Sequence, residues 1–314
     1  MNGEQRKHKV ICIGAVLVDE LYQCFELVIG GSSNPASITK TAGGVMRNIV
    51  HHLVLLETPV QFVTVVGNDA DGEWIKNVCT EASIDMSAAH IENCNTGKYA
   101  AILNPDGSLY AAAAVNPCEV YLTIELLQQQ IQLLLSATII IADTNLSTEV
   151  LGWLITFCND KNSLLIIEPV SVSKAKKLAG VDLHGVFMIT PNEDELRSLN
   201  NETLSTVTAI DVLLERGAKN IWLRKGMHGS VLYSHHEKIT LPAPAVEVKD
   251  STGAGDAALA AWAAAYCMGM NEMECLKAGH AMAAIVLQTT GAIATNTNKQ
   301  ILLRAIKEFY PDEY

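Results

Sequence analysis

The residues of this chain best suited to chemistry are Asp250-Ser251-Thr252-Gly253-Ala254-Gly255-Asp256, which run directly into the Ala-rich segment 257–268. Small residues at a helix entry leave backbone N–H groups unpaired and reachable, and the helix dipole adds partial positive charge there. Such a corner cradles anions. Asp256, in the first turn beside the cradle, can accept a proton from an alcohol while Gly253, Ala254 and Gly255 hold a transferring phosphoryl group. The dipole is expected to keep the Asp256 carboxyl at low pKa, so that it acts late in the transfer. An Asp at a helix start is also an ordinary cap. Gly253, Gly255 and Ala258 match a dinucleotide pattern too, but residues 247–250 make a poor buried strand and no acidic second strand follows. No Gly-x4-Gly-Lys-Ser/Thr loop occurs.

Three further strings carry donors or acceptors. Gly43-Gly44-Val45-Met46-Arg47-Asn48 opens a helix: paired glycines let a ligand approach the backbone, and Asn48 offers a donor and an acceptor to a hydroxyl. Thr190-Pro191-Asn192-Glu193-Asp194-Glu195 follows an apolar strand, and Asn192 and Glu195, three apart on one helix face, suit the waters around Mg²⁺. A helix start enriched in acids for its dipole reads the same way. Lys225-Gly226 with Gly229 forms a turn between strands where backbone can pass a nucleotide.

The elements that must position these residues alternate. Apolar strand-like runs at 10–16, 61–66, 138–142, 164–167, 186–189 and 220–223 are separated by helical spacing at 45–56, 72–82, 124–135, 148–157, 193–199 and 206–215. That rhythm predicts an α/β fold with a mainly parallel central sheet covered on both faces. Residues 19–44, rich in Ser, Thr, Gly and Asn, and residues 97–116, a hairpin turning at Asn104-Pro105-Asp106-Gly107, interrupt it. These two insertions read as a small β lid on a single domain spanning 1–314. Asn34, Thr41 and Asn116 are its polar candidates for contacts to a substrate base.

Taken in chain order, these motifs resemble the ribokinase (PfkB) family of carbohydrate and nucleoside kinases, over nearly the whole chain from residue 10 to about residue 292. Ser33-Asn34-Pro35, Gly43-Gly44-Val45 with Arg47-Asn48-Ile49, Ala142-Asp143 with Asn145, and Pro169-Val170-Ser171 look most like its pseudouridine kinase subgroup. The resemblance implies a ribokinase-like three-layer sandwich and phosphorylation of a nucleoside 5′-hydroxyl by ATP. It makes Asp256 the base, the amides of Gly253, Ala254 and Gly255 the anion hole, and Asn192 with Glu195 the motif that orders Mg²⁺, helped by Glu168. Asp19, Gly43, Gly44 and Asn48 would grip the ribose. Asn192, Lys225, Gly226, Gly229 and Thr252 would lie along the ATP. Asp250 and Thr252 fit part of a K⁺ site, and the lid implies a homodimer. Glu168 stands where many relatives carry Asp or Asn, and no residue near 278–283 marks an adenine pocket. The alternatives are a kinase for another nucleoside or a free sugar, and a ligand sensor on the same fold.

Composition agrees with a large core and sets the partners. The 314 residues are 49% apolar and 18% charged. A net charge of −12 disfavours a nucleic-acid polymer or an anionic membrane as partner. The eight cysteines, at 12, 24, 79, 94, 118, 158, 267 and 275, lack metal or redox spacing and are expected to be free thiols in a reducing cytoplasm. Arg6, Lys7 and Lys9 before an apolar run imitate a signal peptide, but Asp19 and Glu20 end the run. The apolar run 257–268 is too short to span a bilayer.

Overall fold

A computed structural model describes residues 9–199 and 204–311; Arg6 and Lys7 lie outside them. The strands are β1 (Val10–Ile13), β2 (Leu17–Cys24), β3 (Ala36–Gly43), β4 (Val60–Gly67), β5 (Ala89–Glu92), β6 (Lys98–Leu103), β7 (Leu109–Val115), β8 (Ile139–Asp143), β9 (Leu164–Glu168), β10 (Val186–Ile189), β11 (Asn220–Arg224), β12 (Ser230–Ser234) and β13 (Lys238–Leu241). The α-helices are α1 (Val45–Leu55), α2 (Ala70–Glu81), α3 (Ile124–Gln129), α4 (Ile131–Leu135), α5 (Thr148–Lys161), α6 (Val172–Ala175), α7 (Glu193–Ser198), α8 (Thr206–Glu215), α9 (Ala254–Cys267), α10 (Glu272–Leu287) and α11 (Lys299–Phe309).

Nine strands form the central sheet in the order β13-β12-β11-β10-β9-β8-β1-β4-β5. Neighbours from β11 to β5 pair in parallel, and only β12, antiparallel to both β11 and the edge strand β13, runs the other way. Successive side chains on a strand face opposite ways, so each strand feeds two cores. Val10, Cys12, Ile139 and Ile141 pack with α1, α9 and α10, whereas Ile11, Ile13, Ile140 and Ala142 pack with α5 and α8 on the other face. The result is the expected helix–sheet–helix sandwich.

From β1 the chain first builds outward to β4 and β5, then returns to add β8 on the other side. The strand order therefore reverses between β1 and β8, and ligands of open α/β sheets bind outside the carboxyl ends of strands at such a point. β1 ends three residues earlier than the apolar run suggests. Beyond Ile13 the backbone leaves the ladder, and the Ala15 N–H is satisfied by Asp143 Oδ2 at 3.2 Å. The predicted helix 124–135 is two short helices, α3 and α4, meeting at Gln130.

The two irregular insertions form a separate four-stranded sheet, β3-β2-β6-β7. Each is a hairpin, and β2 and β6 join them in parallel. One expectation needs correction here: Cys94 and Cys118 are paired as a disulfide, with Cα atoms 6.2 Å apart, so only the other six cysteines are free. The bond ties the approach to β6 to the turn after β7. Local spacing could not reveal a pair 24 positions apart. No helix among the described residues is long and apolar enough to cross a membrane.

Candidate active site

The Asp250–Asp256 string folds as a loop entering α9. Gly253 sits at the helix N-cap with φ +75°, and a Cβ there would meet Ala292 at 2.6 Å, so glycine is required on both counts. Asp250 knits the loop from below: Oδ1 accepts the Thr252 N–H and Oδ2 the Gly291 N–H, both at 2.9 Å. Both oxygens of Asp250 thus serve the loop, and Thr252 is exposed. Ala254 and Gly255 supply the first helical amides; the Ala254 N–H has a long bond to Ser251 O at 3.4 Å, while the Gly255 N–H has no described partner and opens the cradle.

Asp256 lies in that first turn and is half-buried. Its Oδ2 accepts the Asn48 side-chain N–H at 2.8 Å. Burial pushes the Asp256 carboxyl up to about 7; the Glu168 charge adds to the rise, while the Asn48 bond and the guanidiniums of Arg224 and Arg47 oppose it. This corrects the expectation of a low pKa. The dipole is visible in the sequence, but the loss of solvent around the carboxylate outweighs it. A base poised near neutrality is well matched to proton abstraction from an alcohol.

Gly44, with φ +100°, caps the start of α1, and Asn48 follows one turn in. Arg47, part of the Gly43–Ile49 string but given no role of its own by the sequence, is 5% exposed and donates from Nη2 to Asn48 Oδ1. It therefore fixes the Asn48 amide with its nitrogen toward Asp256. Asp19 reaches the same corner from β2: a Cβ on Gly43 would lie 2.1 Å from Asp19 Oδ2, so the glycine makes room for the carboxylate. Burial raises Asp19 to about 6 against the pull of Arg47.

The three lid candidates separate. Thr41 pairs directly with Asp19 across β2 and β3 and so shares its face. Asn116 lies against Gly97 with a buried Oδ1 that has no partner. Asn34 is not brought to this corner. Its amide is spent on Ile29 and Ser32 within its own loop, and it lines a hollow with Tyr22 and Cys24, which point to the face of β2 opposite Asp19.

Asn192 and Glu195 form a reciprocal capping box at the start of α7: Asn192 Oδ1 accepts the Glu195 N–H at 2.8 Å, and Glu195 Oε2 accepts the Asn192 N–H at 2.9 Å. Glu168 is nearly buried and fully engaged, with Oε1 on Arg224 Nη2 at 2.8 Å and Oε2 on Thr190 Oγ1 at 2.6 Å. Among the described residues no cluster of three or more His, Cys, Asp or Glu side chains can hold a metal. Mg²⁺ commonly keeps several waters and uses one or two carboxylates plus substrate phosphates. Of the expected ligands Glu195 fits that pattern, because its Oε1 takes no hydrogen bond from a described residue; Glu168, with both oxygens committed, does not.

Beside the cradle opens a cavity of about 740 Å³, lined among others by Gly226, Gly229, Ser251, Ala254, Gly255, His280 and Leu287. Lys225 and Gly229 close the turn after β11 through Lys225 N–H to Gly229 O at 2.8 Å. His280, absent from the sequence reading, sits inside a chain in which Trp222 Nε1 donates to Ser230 Oγ, which lies 2.7 Å from His280 Nε2, and His280 Nδ1 in turn lies 2.9 Å from the Tyr310 hydroxyl. Burial lowers His280 to about 4, so it is neutral at pH 7. The cavity has the size and largely apolar lining of a small-molecule cleft.

A half-buried carboxylate near neutral pKa, an amide cradle beside it and an adjoining cleft together suit phosphoryl transfer to an alcohol. Comparison with known proteins agrees: the model of the pfkB family carbohydrate kinases matches residues 7–299. The chain belongs to the PfkB family. Members are phosphotransferases with alcohol acceptors, and this chain is accordingly a sugar or nucleoside kinase. It is 30% identical over 261 residues to an uncharacterised sugar kinase, YeiI, of Escherichia coli K12, covering 81% of this chain and 71% of that protein. It is 28% identical over 277 residues to the pseudouridine kinase of the same organism, covering 85% and 86%. The fold is that of the Arabidopsis thaliana ribokinase solved with ribose and ATP: TM-score 0.81 at 22% identity, covering 96% of this chain and 99% of that one.

Proposed function

We propose that this PfkB kinase transfers the γ-phosphoryl group of ATP to the 5′-hydroxyl of pseudouridine. The observation that carries the reading is the Asn48–Asp256 hydrogen bond beside the Gly253–Gly255 cradle, because it puts a proton acceptor and an anion site at one corner. Asp256 takes the hydroxyl proton, and the amides of Gly253, Ala254 and Gly255 hold the transferring group. Asp19, Gly43, Gly44 and Asn48 bind the ribose, with Thr41 and Asn116 reaching toward the base. Gly226 and Gly229 bound the ATP cleft, with Lys225 and Thr252 at its mouth. Glu195 would hold Mg²⁺ through water, and the bound ion would supply charge neutralisation to the phosphates. The 28% identity to a pseudouridine kinase and the local strings at Gly43–Ile49 and Ala142–Asn145 support pseudouridine as the acceptor.

The small sheet acts as a lid in this reading, excluding water that would otherwise compete for the phosphoryl group. Its face opposite Asp19 carries exposed Ile38, Ile102 and Val115, at 57%, 39% and 60% exposure, and we place a homodimer contact there. The test is a coupled ADP-release assay with MgATP against pseudouridine, uridine, cytidine, adenosine, inosine, ribose and fructose. A kcat/KM for pseudouridine at least tenfold above the others is expected. A preference for another member moves the substrate within the family, and silence across the panel with nucleoside still bound would favour a sensor.

A further inference from the structure

Arg224 ends β11, and its backbone N–H donates to Pro191 O at 2.9 Å. Its side chain, 16% exposed, divides its two terminal nitrogens between different neighbours. Nη2 donates to Glu168 Oε1 at 2.8 Å and lies 3.8 Å from Glu195 Oε2. Nη1 rests on the first turn of α9, where a Cβ on Gly255 would come within 2.5 Å of it. Nη1 makes no hydrogen bond to a described residue, and Nε is buried without a partner.

A guanidinium offers five N–H donors in a rigid fork, and burying them unpaired is costly. Here one arm is held by a carboxylate while the other is bare, against amides that themselves attract anions. Glu168 in turn is anchored by Thr190, so the fork cannot swing freely. Arg224 also lines the cavity together with Gly226, Gly229, Ser251 and Gly255, and its charge acts on Asp256.

We propose that Arg224 is a catalytic residue whose Nη1 donates to an equatorial oxygen of the phosphoryl group in transit. The inference rests on the kinase reading above but not on which alcohol is the acceptor. During transfer the acceptor oxygen bonds to phosphorus as the bond from phosphorus to the ADP oxygen breaks, and the acceptor proton passes to Asp256. Negative charge spreads over three equatorial oxygens, and a pre-positioned cation in a water-poor site stabilises it without reorganisation.

Arg224→Lys keeps a cation for Glu168 but has no second arm to reach Gly255. The test is calorimetric titration of the wild-type and Arg224→Lys proteins with Mg²⁺-ADP, then with Mg²⁺-ADP plus aluminium fluoride, which imitates the transferring group. ADP affinities within about threefold are expected, with aluminium fluoride tightening the wild type at least about thirtyfold more than the variant, in line with one lost charge-assisted donor. Equal tightening in both proteins overturns the role of Arg224. If Arg224→Lys does not fold, Glu168→Gln/Arg224→Gln, which neutralises both partners of the ion pair, is titrated instead against the same criterion. A wild-type chain that binds neither ADP nor ATP overturns the kinase reading itself.

Discussion

Asn48 donates to Asp256 Oδ2 at 2.8 Å across 208 positions of sequence, joining the first turns of α1 and α9. The bond holds the base in place and, by favouring its charged form, keeps its pKa below what burial alone would impose.

Asp256→Asn removes the proton acceptor and leaves the cradle. Turnover is expected to fall by about 10²–10⁴, with ATP affinity within about threefold of wild type by calorimetry. Wild-type turnover in this variant would remove Asp256 from the chemistry.

In the wild type, kcat/KM is expected to decline as pH drops through about 7, because Asp256 must be ionised to take a proton. Asn48→Ala deletes an interaction that lowers the Asp256 pKa, so this acidic limb moves upward in pH. The nucleoside KM rises as well, since a ribose hydroxyl loses its partner. A pH profile of the variant with an unmoved limb would contradict the coupling.

Stability responds with the opposite sign. Asp256 titrates near 7 in the fold against an unperturbed value of 3.8, so its ionisation favours the unfolded chain above pH 3.8, with the full penalty reached above 7. Asp256→Asn is therefore expected to raise Tm by a few degrees at pH 8, roughly the effect of 1 kcal/mol in a chain of this size, and by less at pH 5.5. A gain that grows toward acid would refute the raised pKa.

Gly253→Ala meets a positive φ and the Ala292 side chain together. A loss of about 1–3 kcal/mol is expected, measured by denaturant unfolding, with weaker ADP binding because the cradle must move. Unchanged values would show that the loop adapts.

Alkylation after denaturation counts the thiols. Without reductant six cysteines are expected to react, and with reductant all eight. Closing a loop of this length is worth about 3 kcal/mol, so reduction should lower Tm measurably.

Much of this was legible before any coordinates. Buried parallel strands appear as apolar runs, which is why residues 186–189 and 220–223 stand out, and the glycines before Asp256 announce a helix entry that binds anions. What could not be read depends on who faces whom. A single arginine after an apolar strand has no pattern that aims it at Gly255, nor does the sequence show that Arg47 holds Asn48. Polarity marked Asn34 as a contact residue, but strand parity puts its neighbours on the far face of β2. Solvent exclusion, which moved Asp256 from a low pKa to about 7, leaves no mark on local sequence.

The face of the central sheet under α9 and α10 has a consequence for synthesis. Ile166, Met188 and Trp222 are completed early on a ribosome, but much of the cover packed with them is supplied by residues 254–287. Until that segment emerges, a nascent chain carries an open apolar sheet and no base. Translation therefore passes through a stage that invites chaperone binding, and catalytic competence switches on only when the late helices dock.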